Sequence, residues 1–107
     1  MTQRVYVIFI TAPSGKGEEL ARRLVEERLA ACVNVVRGVR SIYWWRGKVE
    51  VDEEDLLVVK TSADALERLV KRVKEIHPYE VPEVIALPVE HGLPEYLAWV
   101  VEETRGS

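Results

Sequence analysis

Cysteine, asparagine, glutamine, methionine and phenylalanine each occur once in these 107 residues. The lone Cys32 excludes an internal disulfide and any cage of several thiolates. The longest apolar run near the N-terminus, residues 5–10, is far short of the ~20 residues a membrane span needs and too short for a secretory leader, so a cytoplasmic protein is expected. Also missing is a surplus of positive charge. Fifteen basic residues face eighteen acidic ones, for a net charge of −3, which argues against nucleic acid as the main partner because phosphate binding wants a basic face. No repeat, low-complexity tract or Gly/Pro/Ser-rich linker interrupts the chain, so residues 1–107 are read as one domain. Scarce thermolabile residues beside abundant Glu and Arg lean toward a thermophilic source.

What the chain does have is a long stretch rich in β-branched and aromatic residues, 33–61, that turns once at Arg46-Gly47-Lys48. It reads as two antiparallel strands closed by a tight hairpin. The first arm, 33–45, would extend on the order of 40 Å at ~3.3 Å per residue. A helix over 17–31 covers only on the order of 22 Å at ~1.5 Å per residue. About half of the hairpin should therefore project, and Tyr43, Trp44 and Trp45 lie in that half. Strand side chains alternate, so both projecting faces are apolar and need a cover, for which a second copy of the chain is the natural candidate.

Residues 4–11 leave no polar face and read as a central buried strand. Ser14 is placed to cap the helix that follows, whose Leu20, Ala21, Leu24, Val25 and Leu29 fall at three- and four-residue steps. Residues 56–59 are again a buried strand. Ser62 or Asp64 can cap a second helix with Leu66, Leu69, Val70 and Val73 inward, and His77-Pro78 ends it. Residues 84–89, with Pro82 and Pro88, belong to an edge strand, and residues 93–103 form a terminal helix. This order predicts an α+β protein, a ferredoxin-like βαββαβ sandwich with an extended β2-β3 hairpin and a C-terminal helix.

Positive signs of catalysis are missing. Gly15-Lys16 lacks the spaced glycine and the following hydroxyl of a phosphate loop. Acylphosphatase chemistry on this fold needs an arginine cradle after the first strand, yet the loop there has none, and Asn34, Arg37 and Arg40 sit on the hairpin instead. No nucleophile adjoins a base, so a non-enzyme is expected. Cys32, His77 and His91 have no paired metal-ligand spacing. Glu50, Asp52, Glu53, Glu54 and Asp55 read as a solvated acidic face, whose functional version is a weak site for hard cations.

Leu29-Ala-Ala-Cys-Val-Asn34, Ser41-Ile-Tyr-Trp-Trp-Arg-Gly-Lys48, His77-Pro-Tyr-Glu-Val-Pro-Glu83 and Tyr96-Leu-Ala-Trp99 together resemble the CutA divalent-cation-tolerance family, in order along the whole chain. The resemblance implies a PII-like homotrimer whose hairpins pair with neighbouring subunits, with Tyr43, Trp44 and Trp45 at the interface. It also implies tolerance to copper and other divalent ions. Members proposed to bind copper carry a cysteine where this chain has Ile10 and a further histidine where it has Ile76, so only His77 remains of that trio. The residues left for a cleft between subunits are Cys32, Asn34, Trp44, Lys60, Tyr79 and Glu80. The leading expectation is thus weak binding of a divalent metal, copper or zinc, at His77 and nearby carboxylates. The alternative is a PII-like signalling module that binds a small anionic ligand or a partner segment.

Overall fold

The computed structural model describes residues 4–105. Its element order is β1 (Val5–Pro13), α1 (Gly17–Glu26), β2 (Cys32–Trp45), β3 (Lys48–Ser62), α2 (Ala63–Ile76), β4 (Val84–Pro88) and α3 (Pro94–Glu103). The strands form one antiparallel sheet in the order β2-β3-β1-β4. This is the ferredoxin-like arrangement expected, with β1 central and the proline-flanked β4 at an edge. The long dimension of the chain is 47 Å, about what the fourteen residues of β2 span at ~3.3 Å each. The hairpin sets the length of the molecule.

Alternation along β1 and β3 divides the sheet into two faces. Ile8, Ile10, Ala12, Leu57 and Val59 point to one, where Leu20, Ala21 and Leu24 of α1 and Leu69 and Val73 of α2 meet them in a core exposed by 6% or less. At about 1.5–3 kcal/mol per buried large aliphatic side chain, this layer is the main source of stability. The other face carries Val7, Phe9, Val58 and Lys60, with Ile85 and Leu87 beside them on β4. One end of that second face is covered by α3, whose Thr104 hydroxyl bonds the Ser62 hydroxyl at 2.7 Å. The rest of it is open.

Two helix ends differ from expectation. α1 stops at Glu26, not near residue 31. Arg28 turns left-handed at φ 62°, while Leu29 N–H reaches Leu24 O at 2.9 Å and Arg28 N–H reaches Val25 O at 3.0 Å. These are the two bonds of a Schellman stop, reinforced by the apolar contact of Leu29 with Leu24 in the core. Ser14 does not cap α1 either. The N-cap is Lys16, with no side-chain bond; instead the Asp55 carboxylate, from β3, accepts Gly15 N–H at 3.1 Å and Gly17 N–H at 2.9 Å. α2 starts as expected, with Ser62 accepting Ala65 N–H.

Candidate functional site

The site begins with an irregularity in the hairpin. Between Val36 and Val39 the register of β2 gains one residue on β3, and Gly38 there has φ 77°, a left-handed value that glycine adopts without steric cost. An extra residue exchanges the two faces of everything beyond it. Before the bulge Asn34 and Val36 share the open face with Val58 and Leu56. Beyond it, Tyr43 and Trp45 take that face, opposite Glu50 and Lys48. Trp44 goes to the other side, opposite Val49. Arg46 and Gly47, both at positive φ, make the two-residue turn that closes the arms.

The acidic run divides by the same alternation. Asp55 is directed under the start of α1, as described above, and is 2% exposed. Glu54, 7% exposed, accepts a hydrogen bond from the Tyr79 phenol at 2.9 Å. Asp52 accepts one from the Tyr43 phenol. The expectation of a uniformly solvated acidic face therefore fails at Glu54 and Asp55, because these neighbours point to opposite faces of β3 and each is covered there, Asp55 by the start of α1 and Glu54 by Tyr79, whose backbone N–H groups and phenol respectively satisfy them. The phenols respond in turn. The bond to Asp52 pushes the Tyr43 hydroxyl up to about 12. Burial, followed by the bond to Glu54, pushes Tyr79 higher still.

Tyr79 is set in place by His77, the C-cap of α2. The imidazole is 7% exposed. Its Nε2 lies 2.7 Å from Thr11 O, and its Nδ1 accepts Tyr79 N–H at 3.0 Å. A carbonyl can only accept and an amide N–H can only donate, which assigns the neutral tautomer with the proton on Nε2. Both ring nitrogens are in use. A metal at His77 must displace Tyr79 N–H from Nδ1 or the proton from Nε2.

Between the hairpin and the segment after α2 lies a cleft of about 790 Å³. Asp52, Glu54, Glu80 and Glu83 line it together with the rings of Tyr43, Trp45 and Tyr79, and no Lys, Arg or His is among its walls. Asp52, Glu54 and Glu83 were not singled out as cleft residues from the sequence. The signal was the two-residue spacing of Glu50, Asp52 and Glu54, which puts them on one strand face.

The sequence-derived cleft residues fall into three places within the chain. Tyr79 and Glu80 line this cleft. Cys32, Asn34 and Lys60 sit at the far end of the sheet, where Cys32 is opposite Lys60 and the Lys60 ammonium bonds the Asn34 side-chain oxygen. There the Tyr96 phenol is pushed up by burial and by the neighbouring Cys32 thiol. Trp44, 75% exposed, is on the opposite face of the hairpin because of the bulge. Ile10 is fully buried and Ile76 packs against the core, so the two positions at which the family resemblance looked for soft ligands are apolar wall here. Among the described residues no three His, Cys, Asp or Glu side chains converge on a point that could hold a metal ion. The donor set does not fit copper, which wants imidazole and thiolate.

The family model for "CutA1 divalent ion tolerance protein" matches residues 6–103. The divalent-cation tolerance protein CutA of Thermus thermophilus is 54% identical over 99 residues, which is 92% of this chain and 96% of that protein. Chloroplastic CutA 1 of rice is 48% identical over 94% of this chain, which spans 58% of the rice protein's length. Among solved structures, a PII-like protein CutA from Nostoc superposes with a TM-score of 0.89 at 41% identity, covering 94% of this chain and 97% of that one.

Proposed function

We propose that this chain, which belongs to the CutA1 divalent ion tolerance family, is a single-domain subunit of a cytoplasmic homotrimer that binds divalent cations weakly in the acid-lined cleft beside its hairpin. The observation that carries this reading is the sign of the cleft: four carboxylates and no basic side chain. Oxygen donors suit hard ions, and they also suit zinc, which accepts carboxylates. Without three converging donors among the described residues, binding is weak, roughly 10⁻⁴ M or weaker, as at carbonyl- and carboxylate-based sites of low ligand count. His77 frames the cleft by fixing Tyr79. Its imidazole is a metal ligand only if it gives up one of its two bonds.

Support for the trimer comes from the hairpin. Ile42, Trp44, Trp45, Val49 and Val51 are all 48% exposed or more, an apolar surface on both faces that a lone subunit leaves in water. The PII-like description of the Nostoc structure agrees with such an assembly. The competing reading, an anionic ligand, gains nothing from this cleft, and Lys60 is engaged with Asn34 elsewhere.

Calorimetric titration with Zn²⁺, Mg²⁺ and Cu²⁺ tests the metal assignment on wild type, Glu83→Gln and His77→Gln. Zn²⁺ or Mg²⁺ should bind wild type weakly, and Glu83→Gln should weaken binding several-fold, whereas folded His77→Gln should keep it. Tight Cu²⁺ binding lost only in His77→Gln would move the site to the imidazole. No heat with any ion would end the metal reading.

A further inference from the structure

We propose that residues 78–83, which join α2 to β4, form a hinged strap that opens in one piece and uncovers Glu54 and His77. Access to these two side chains is what it governs, whether or not a cation binds the cleft. Little holds the strap down. Among the described residues it enters no backbone–backbone hydrogen bond, although such bonds take up most backbone groups of a folded chain. Three side-chain bonds stand in: Tyr79 N–H donates to His77 Nδ1 at 3.0 Å, the Tyr79 phenol donates to Glu54 at 2.9 Å, and the Lys74 ammonium donates to Glu80 O. His77 and Lys74 lie at the end of α2, so among these bonds only the phenol reaches the sheet. Tyr79 is the latch.

What lies beneath the strap is polar. Glu54 and His77 are both buried, and His77 Nε2 donates to Thr11 O at 2.7 Å, a carbonyl one residue past the last rung between β1 and β4, Ile10 with Val84. Over this imidazole the Tyr79 ring lies tilted, with its centroid 5.0 Å away. Lifting a cover off apolar core forfeits hydrophobic burial. Lifting one off a carboxylate and an imidazole exchanges protein hydrogen bonds for bonds to water, at a small net cost for each. Val81, the strap's one open-chain aliphatic residue, is 80% exposed and gives no anchor in the core. Pro78 and Pro82 fix their own φ and restrict the residues before them, which leaves the strap few shapes of its own and favours movement as a unit. Closed, it occupies Nδ1 of His77 and Oε2 of Glu54; open, both are free to meet water.

The test is made on the assembled protein and uses its two histidines, of which His91 is exposed and serves as the internal control. Diethyl pyrocarbonate, which acylates imidazole nitrogens that meet solvent, is read together with hydrogen exchange by mass spectrometry, which reports local opening. In wild type His77 should be modified at least tenfold more slowly than His91, while the strap amides exchange at least tenfold faster than those of β1 and β3. Tyr79→Phe keeps the ring and removes the latch hydroxyl. It should speed both His77 modification and strap exchange at least fivefold, with His91 modification and exchange in β1 and β3 unchanged. His77 modified as fast as His91 in wild type would mean that nothing shields it, and no acceleration in Tyr79→Phe would mean that the phenol is not the latch. An equal acceleration in β1 and β3 would make the opening global. Any of these three results overturns the proposal.

Discussion

Asp55 and Gly17 are fitted to each other: the Asp55 carboxylate accepts Gly17 N–H at 2.9 Å, and a Cβ added at Gly17 would lie 2.7 Å from the Asp55 Cβ. The pair joins the hairpin arm β3 to the start of α1, thirty-eight residues away in sequence. A buried carboxylate does here what an adjacent serine or aspartate does at an ordinary helix start.

Replacing Asp55 with Ala leaves the N–H groups of Gly15 and Gly17 without their acceptor and should cost about 1–3 kcal/mol. Gly17→Ala should cost a similar amount, ~1–3 kcal/mol, through overpacking. The double mutant Gly17→Ala/Asp55→Ala should lose somewhat less than the sum, since truncating Asp55 removes the carboxylate oxygen and Cγ at 2.8 and 3.2 Å from the added methyl, while the Cβ contact at 2.7 Å stays. Urea unfolding at one fixed protein concentration measures all three, because assembly makes stability depend on concentration. Strict additivity would show that the two sites do not share one contact.

Deleting Gly38 takes out the one extra residue of the bulge, so residues 39–45 should keep their partners on β3, and Tyr43, Trp44 and Trp45 should keep their faces. The expected result is an unchanged mass by light scattering with little change in far-ultraviolet circular dichroism. A fall in mass would mean that the local bend and twist of the bulge, and not only the face each ring occupies, are needed for the proposed association.

On a sizing column with light scattering, wild type should give about three times the 12.2 kDa subunit mass. Trp44→Asp and Trp45→Asp should each shift it toward the monomer, because burying an unpaired carboxylate at an interface costs several kcal/mol, roughly 3–5. A clean monomer for wild type at micromolar concentration would sink the trimer. Intact mass and heat stability in both variants would remove these rings from the interface.

The Tyr43 phenol should titrate late. Its hydrogen bond to Asp52 raises it from 10.0 to about 12, so the folded value lies above the unfolded one. The bond's contribution is then full below pH 10 and fades as pH rises through about 12. Absorbance of tyrosinate against pH should show one fewer late-titrating group in Tyr43→Phe than in wild type. If the late phase is the same in both, the Tyr43–Asp52 bond does not persist in solution.

Much of the fold was legible in the sequence because it rests on local signals. Unbroken apolar runs marked β1 and the buried half of β3, three- and four-residue steps marked the inward stripes of α1 and α2, and prolines put β4 at the edge. Where the reading missed, a distant partner had decided. α1 is capped by Asp55 from across the sheet and not by the neighbouring Ser14. It stops at a left-handed Arg28, a residue that carries no glycine-like stop signal but donates to Glu103 through its guanidinium at 2.7 Å. The acidic run looked like one solvated patch because its neighbours in space, the β1–α1 turn and Tyr79, lie far off in sequence.

The sequence by itself determined the element order, the long aromatic hairpin and the shortage of soft metal ligands, since these follow from residue types and their spacing along the chain. Tertiary structure alone decided which face each hairpin ring occupies, because that depends on one extra residue in the pairing of two strands. It alone decided that both nitrogens of His77 are taken, and that four carboxylates from β3 and from the segment after α2 face one cleft. Those are relations between segments brought together only when the chain packs.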